Sequence, residues 1–299
     1  MPNLQSDGHV VCCYGRRVIV ALNSTVSVPA TLRKRDIHVI CNDRVHVKQD
    51  NGQWYLQQVE KRHNVFSRTD SRGHHLSLAA NLDRLIIVCA ARPGPGRNTL
   101  EKYLIAAANL GIPALLAANK SDLPESERRA LGGRLELLRS AGFEYIECST
   151  KTDHGLDQLR GKIAQCSVMM VGQSGVGKSS LANRLLPGEA LPTAGLTPGS
   201  GKGAHTTTTV CRHSVPGMAD TYLIDSPGVW EFSLGSLSAQ QVGLGFPDFT
   251  PFLDACRFRD CTHLVEPSCA IRDAVSSGLL AQERYASYQS IMAELARRA

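Results

Sequence analysis

The feature that most narrows what this chain can become is the run Gly172-Gln173-Ser174-Gly175-Val176-Gly177-Lys178-Ser179, a G-x4-G-K-S pattern. It lies between an apolar segment, 168–171, and a stretch of helical character, 179–186. That placement predicts strand, tight loop and helix in immediate succession, with glycines where a Cβ would obstruct the turn. Backbone N–H groups of such a loop converge on phosphate oxygens, and the positive end of the following helix favours their charge. Gly172, Ser174, Gly175, Val176, Gly177, Lys178, Ser179 and Ser180 are therefore expected to bind a nucleoside triphosphate. Within that set Lys178 reaches the β- and γ-phosphates and takes part in the chemistry, while the Ser179 hydroxyl ligates Mg2+.

The chain around this loop keeps the same alternation. Apolar runs at 85–91, 114–118, 145–148 and 168–171 are separated by helical segments at 100–110, 126–140, 156–165 and 179–186. Strands that are apolar on both faces, each followed by a helix, predict a mostly parallel sheet covered on both sides. Residues 187–205 are rich in Gly and Pro and read as a long functional loop. Two more strands are expected at 206–215 and 221–224.

The base is read from a second loop. Asn119-Lys120-Ser121-Asp122 follows the run 114–118 and resembles the N-K-x-D motif of GTP-binding proteins. A carboxylate at its fourth position accepts hydrogen bonds from guanine N1–H and from the 2-amino group. Adenine offers neither, and a buried carboxylate left unpaired is costly. Asp122 is thus expected to select guanine, with Asn119 bracing the loop and Lys120 in the same binding set. Cys148-Ser149-Thr150-Lys151 resembles the short loop that closes over the base, which adds Ser149, Thr150 and Lys151.

Asp225-Ser226-Pro227-Gly228 matches D-x-x-G, with Asp225 on Mg2+ and the Gly228 N–H on the γ-phosphate. Upstream, His205-Thr206-Thr207-Thr208-Thr209 supplies a switch threonine for Mg2+ and γ-phosphate, Thr207 first and Thr206 as the alternative. Ordinary small GTPases run P-loop, switch threonine, D-x-x-G, N-K-x-D and base-closing loop. Here the last two, at 119 and 148, precede the other three. Residues 66–235 therefore read as a circularly permuted α/β P-loop GTPase domain. The second switch then runs straight into the C-terminal segment, so nucleotide-dependent movement can pass to it.

Both flanks have their own character. Residues 1–65 hold five short alternating stretches at 9–14, 16–22, 28–34, 44–48 and 54–60, with turn signals at Asn42-Asp43 and Asp50-Asn51-Gly52. Five such strands predict a small OB-type β-barrel. It carries nine Lys/Arg against five Asp/Glu, four of the chain's net six positive charges, as suits a face for RNA. Arg16, Arg17, Arg33, Lys34 and Arg35 are the backbone-contact candidates, and Trp54 and Tyr55 either stack on bases or pack in the barrel. Residues 63–76 read as a polar linker. Residues 236–299 read as mainly helical and contain Cys256-x4-Cys261-x-His263-x5-Cys269. Three thiolates and an imidazole close a tetrahedral site with no position left for substrate, hence a structural zinc. Arg257 and Arg259 inside that loop offer a second RNA contact.

Composition excludes other classes. No apolar run approaches the ~18–20 residues needed to span a bilayer. The polar start, 1–8, lacks the basic and apolar regions of a signal peptide. A cytoplasmic protein with no membrane partner is expected. In that compartment Cys12, Cys13, Cys41, Cys89, Cys148, Cys166 and Cys211 read as ordinary thiols, not disulfides.

Taken together, the permuted motifs, the barrel and the Cys3His cluster resemble one family, the small-ribosomal-subunit biogenesis GTPases RsgA (YjeQ). Further points of likeness are Asp-Ser-Pro-Gly-Val-Trp-Glu-Phe at 225–232, Cys-Arg-Phe-Arg-Asp-Cys-Thr-His at 256–263, and Glu266-Pro267 before Cys269. The resemblance implies an OB-fold, a permuted GTPase domain binding GTP/GDP with Mg2+, and a zinc-binding domain. It also implies GTP hydrolysis stimulated by the 30S subunit, contact with 16S rRNA, release after hydrolysis, and a monomer acting late in assembly of that subunit. Trp230 and Ala204 depart from the Arg found in many members, which puts coupling to rRNA in question. Ras-like enzymes orient the attacking water with a Gln just after D-x-x-G, where this chain has Val229. Intrinsic turnover of ~10⁻³ s⁻¹ or less is therefore expected. His205 is the candidate within the chain for positioning that water, contact with rRNA or solvent being the alternative.

Overall fold

Valines alternating with polar residues build the first unit. In a computed structural model that describes residues 4–33, 37–69, 75–188, 210–225 and 237–297, this unit is a five-stranded barrel. Its strands are β1 (Gln5–Tyr14), β2 (Arg17–Ala21), β3 (Ser27–Leu32), β4 (Arg44–Asp50) and β5 (Gln53–Val59). They pair in the order β1-β2-β3-β5-β4, and β4 returns to β1 to close the barrel. Val10, Val18, Val20, Val45, Val47 and Leu56 fill it. Trp54 packs partly buried against this core, whereas Tyr55 lies beneath the Arg33 guanidinium at 3.6 Å. Lys34 and Arg35 lie outside the described residues, as do Ala204, His205, Thr206, Thr207, Gly228, Val229 and Trp230.

The stretch expected to be a polar linker is instead a hairpin, β6 (Val65–Thr69) and β7 (His75–Ala80), paired antiparallel. The reason is one-sidedness: Phe66 and Ala79, 1% and 0% exposed, enter the core of the next domain. Asn42 anchors the barrel here, donating from Nδ2 to the carbonyls of Ala80 and Asn81 at 2.9 and 3.0 Å. Behind it, the fully buried Asp43 pairs with Arg62 at 2.7 Å.

The central domain follows as β8 (Arg84–Ala90), α1 (Thr99–Leu110), β9 (Ala114–Asn119), α2 (Glu125–Ser140), β10 (Glu144–Glu147) and α3 (Leu156–Ile163). It continues with β11 (Ser167–Val171), α4 (Lys178–Leu185), β12 (Cys211–Ser214) and β13 (Tyr222–Asp225). The strand order is β10-β9-β8-β11-β13-β12, parallel except for β12. After β8 the chain moves outward through β9 and β10, then β11 returns to the other side of β8. That reversal opens a crevice at the carboxyl ends of β8 and β11, where open α/β sheets bind ligands. Apolar clusters cover both faces, as the strand composition predicts. Beyond that expectation, β12 also pairs with β1 at Cys12–Cys211, making barrel and central sheet continuous.

The C-terminal segment forms α5 (Ala239–Gly243), α6 (Thr250–Leu253), α7 (Ala270–Ser276) and α8 (Gln282–Ala296). Phe246, Phe249 and Tyr288 form an aromatic centre with ring centroids 5.1–5.4 Å apart. This core also takes in Ile105 from α1. A Cβ on Gly245 would lie 2.3 Å from Ile105 Cγ1, so only glycine permits that approach. Lys102–Glu294 at 2.6 Å and Asn98–Ser290 at 2.8 Å complete the seam between α1 and α8. Among the described residues no helix is long and apolar enough to cross a membrane.

Candidate nucleotide site and metal cluster

The G-x4-G-K-S loop joins β11 to α4 at the crevice, and the space around Gly172 and Gly177 admits no side chain. Gly172 sits at φ +143°, where a Cβ would fall 2.2 Å from the Val88 carbonyl of β8. Gly177, at φ +96°, has Asn119 Nδ2 where its Cβ would be, 2.3 Å away. The missing side chain lets the N-K-S-D loop sit directly on the phosphate loop. Asn119 Nδ2 donates to the Val176 carbonyl at 2.9 Å. Lys120, in a left-handed conformation at φ 64°, donates to the carbonyls of Gly175 and Arg92 at 2.7 and 2.6 Å. Two motifs more than fifty residues apart are thereby held as one unit.

Lys178 Nζ donates to the carbonyls of Gly172 and Gln173 at 2.6 and 2.7 Å, folded over the loop it belongs to. Burial pulls its ammonium down to about 8, with the negative charge of Asp225 opposing the shift. A partly desolvated cation here gains most when an anion enters the loop. Ser179 and Ser180 begin α4, and Asp225 ends β13 on the neighbouring strand. Ser174 and Gly175 are exposed on the rim. A contact absent from the motif reading is Gln173, whose amide accepts from Gly96 N and donates to the Gly94 carbonyl, both at 3.1 Å. It ties the phosphate loop to the Gly/Pro turn after β8.

At the end of the N-K-S-D loop, Ser149 Oγ donates to Asp122 Oδ1 at 2.6 Å, and Lys151 Nζ stands 3.7 Å from Oδ2. The Ser149 hydrogen bond, with the Lys151 charge, holds the Asp122 carboxyl below its ordinary range. Ser149 Oγ in turn accepts from the N–H groups of Lys151 and Thr152 at 3.2 and 3.3 Å. The Thr150 carbonyl accepts from Arg184 of α4 at 3.0 Å, fastening the base loop to the helix that follows the phosphate loop. Among the described residues Asn119 Oδ1 is buried with no hydrogen-bond partner. Such an unsatisfied acceptor suits a ligand that presents N–H donors.

The Cys3His cluster is assembled separately. The ligand atoms of Cys256, Cys261, His263 and Cys269 all lie within 4.8 Å of one another. His263 Nδ1 is 3.6 Å from Cys256 Sγ and 3.5 Å from Cys269 Sγ. A tetrahedral zinc with bonds of roughly 2.3 Å to sulfur and 2.0–2.1 Å to nitrogen demands an S···N edge of about 3.6 Å, so the geometry fits that ion. The loop is held by residues that the ligand spacing does not announce. Glu266 accepts from Thr262 N at 2.8 Å, Thr262 Oγ1 at 2.5 Å, and Leu264 N at 3.1 Å. These hydrogen bonds outweigh the cost of its partial desolvation and draw its carboxyl down to about 2. From α8, Tyr285 and Tyr288 donate to the carbonyls of His263 and Thr262 at 2.7 and 2.8 Å. Their three-residue spacing on one helix face was the available sequence signal.

A permuted order of GTPase motifs on a continuous barrel-and-sheet framework invites comparison with known proteins. A model of the family described as RsgA GTPase matches residues 59–235, more than half of the chain. The chain belongs to the RsgA GTPase family. It is accordingly a GTP hydrolase, and the family implies a guanine nucleotide and Mg2+. The "Small ribosomal subunit biogenesis GTPase RsgA" of Pseudomonas aeruginosa strain PAO1 is 45% identical over 293 residues, 97% of this chain and 86% of that protein. The protein of the same name from Chromohalobacter salexigens is 43% identical over 242 residues, 81% of this chain and 71% of that one. Among solved structures, YjeQ from Thermotoga maritima superposes with a TM-score of 0.81 at 26% identity, covering 98% of this chain and 99% of that chain. YloQ, described as a circularly permuted GTPase, shares the fold with a TM-score of 0.76 at 23% identity, covering 99% and 96%. The permutation expected from motif order is thus that of known RsgA-type structures.

Proposed function

We propose that this GTPase is a late assembly factor of the 30S ribosomal subunit, binding the subunit and its 16S rRNA with GTP and leaving after hydrolysis. The observation that carries the reading is the direct seating of Asn119 and Lys120 on Val176 and Gly175, which makes phosphate grip and guanine selection one rigid element. The printed names of its relatives, small ribosomal subunit biogenesis GTPases, supply the partner. In this reading residues 1–65 are an RNA-binding barrel, 66–235 the permuted GTPase domain and 236–299 the zinc-binding domain. The protein works as a monomer in the cytoplasm.

The roles follow from the chemistry. Asp122, oriented by Ser149, accepts from guanine N1–H and the 2-amino group, while Thr150 and Lys151 close over the base. The phosphate loop, from Gly172 to Ser180, turns its N–H groups on the phosphates, and Lys178 trades its own loop carbonyls for phosphate oxygens. Ser179, Asp225 and Thr207 would hold Mg2+, which when bound neutralises charge on the β- and γ-phosphates. Gly228 senses the γ-phosphate. With Val229 after D-x-x-G, water positioning falls to His205. Cys256, Cys261, His263 and Cys269 would hold zinc, which when bound fixes the loop bearing the exposed Arg257 and Arg259. On the barrel, Arg16 and Arg17 are exposed where RNA phosphates could meet them, Arg16 also donating to the Leu32 carbonyl at 3.1 Å.

The test is GTP turnover by the full chain alone, with 30S subunits and with 50S subunits. Stimulation by 30S alone is the expected result; no stimulation, or an equal effect of 50S, refutes the assignment. His205→Ala should abolish the stimulated rate while leaving 30S binding intact, and an unchanged rate removes His205 from the chemistry.

A further inference from the structure

The seven cysteines outside the metal cluster are not equivalent in the fold. Cys12 of β1 and Cys211 of β12 are direct cross-strand partners, at the one register position among the described residues where barrel and central sheet pair. Directly opposed residues of an antiparallel pair have Cα atoms roughly 4.5–5.5 Å apart and side chains on the same face. That span falls within the roughly 4.4–6.8 Å a disulfide bridges. On its other side, Cys211 is the register partner of Asp225. Barrel cysteine, β12 cysteine and D-x-x-G aspartate therefore form one row across three strands.

We propose that Cys12 and Cys211 form a reversible disulfide, a redox staple fixing the barrel to the strand beside the nucleotide site. Cys41 and Cys13 nearby are turned elsewhere, their thiols donating to the Val11 and Val39 carbonyls at 3.3 and 3.7 Å. Burial pushes the Cys13 thiol up to about 12 and raises that of Cys41 as well. Cys12 differs. The neighbouring Cys211 thiol, with the exposed Tyr14 hydroxyl at 3.4 Å, outweighs desolvation and draws it down to about 6, while Cys211 is raised. One proton is held between two sulfurs, so the pair carries thiolate character at neutral pH.

The co-reactant is a soluble low-molecular-weight disulfide. The shared proton passes from Cys211 to Cys12, and the half-buried Cys211 sulfur, the more accessible of the two, attacks one sulfur of that disulfide; a mixed disulfide forms and one thiolate leaves. Cys12 then gives up the shared proton and attacks the Cys211 sulfur, a second thiolate leaves, and that proton ends on one of the two released sulfurs, giving one thiol and one thiolate. Two protein thiols are oxidised and one soluble disulfide is reduced. The consequence for turnover rests on reading Asp225 as the Mg2+-side carboxylate; the crosslink itself does not.

The experiment equilibrates the full-length zinc-loaded protein in graded mixtures of oxidised and reduced glutathione. Free thiols are then blocked, non-reduced peptides are mapped by mass spectrometry, and GTP turnover is measured in parallel. A linked Cys12–Cys211 peptide pair is expected, two hydrogens lighter than its parts, with turnover lowered about twofold or more and restored by dithiothreitol. Cys12→Ser and Cys211→Ser should each retain basal turnover and lose both the link and the redox response. Glutathione on either cysteine without a link overturns the staple, as does a redox response that persists in Cys211→Ser. A link that leaves turnover unchanged overturns its action on the site and leaves the Asp225 reading to its own test.

Discussion

Replacing Asp122 by Asn tests the guanine assignment most directly, because the structure dictates how the new amide must lie. Ser149 Oγ, at 2.6 Å, donates to Asp122 Oδ1, and it is itself held in place by the N–H groups of Lys151 and Thr152. In Asp122→Asn the carbonyl oxygen keeps that hydrogen bond, so the NH2 group turns to where Oδ2 stood. Two charge-assisted hydrogen bonds to guanine are lost, and a donor now faces the 2-amino donor. Each such bond contributes roughly 10- to 100-fold to affinity, so GTP binding should weaken by about 10²–10⁴-fold. Xanthine carries a 2-oxo acceptor in place of the 2-amino group, and XTP should bind the variant more tightly than GTP does. Fluorescent-nucleotide titrations with GTP and XTP competitors read both effects. A variant that keeps GTP affinity within about threefold of the parent, or gains nothing for XTP, refutes the assignment of Asp122 and the fixed orientation argued from Ser149.

The other expectations touch separate parts of the molecule. Burial pulls the Lys178 ammonium from its ordinary 10.5 down to about 8. The free fold thus holds fewer protons than the unfolded chain between these values, and this group favours folding as pH rises through them. Phosphate binding needs the ammonium, so GTP affinity should fall above pH 8, by at most about tenfold per pH unit, in titrations from pH 7 to 9. Lys178→Ala should lose nucleotide binding and with it this pH dependence. Gly172→Ala drives a Cβ to 2.2 Å from the Val88 carbonyl, which forces β8 and β11 apart. Steric strain and the left-handed backbone together should cost about 2–6 kcal/mol, read as a lowered urea midpoint. Blocking the cluster thiols should release one zinc per chain and reduce far-UV helicity, because Tyr285 and Tyr288 of α8 are anchored on the metal loop. Nucleotide binding should survive that treatment, since the phosphate loop makes its contacts within the central sheet.

What was legible in the sequence was what is local. A phosphate loop, an N-K-S-D loop and a cysteine-histidine cluster each declare themselves over a few residues, because their backbone geometry needs particular residue types at particular spacings. The strands of the central sheet were equally plain, since β8, β9 and β11 are apolar on both faces. The hairpin at 65–80 escaped because its polar side dominates its composition, while the deciding contacts are those of Phe66 and Ala79 with a core assembled from distant segments. Glu266, Gln173 and the two tyrosines escaped for a related reason. Their partners are backbone groups, which carry no residue identity to recognise.

Motif identity and motif order were therefore enough to establish the permuted GTPase and to mark out its Cys3His cluster, because each is a short-range requirement written in residue type. Only the tertiary structure decided how these parts meet. Asn119 rests on Val176 across 57 residues, and α1 carries the C-terminal domain through Ile105. Cys12 faces Cys211 where the barrel joins the sheet. Register between strands and approach between loops depend on how every intervening residue packs, and no local pattern encodes them.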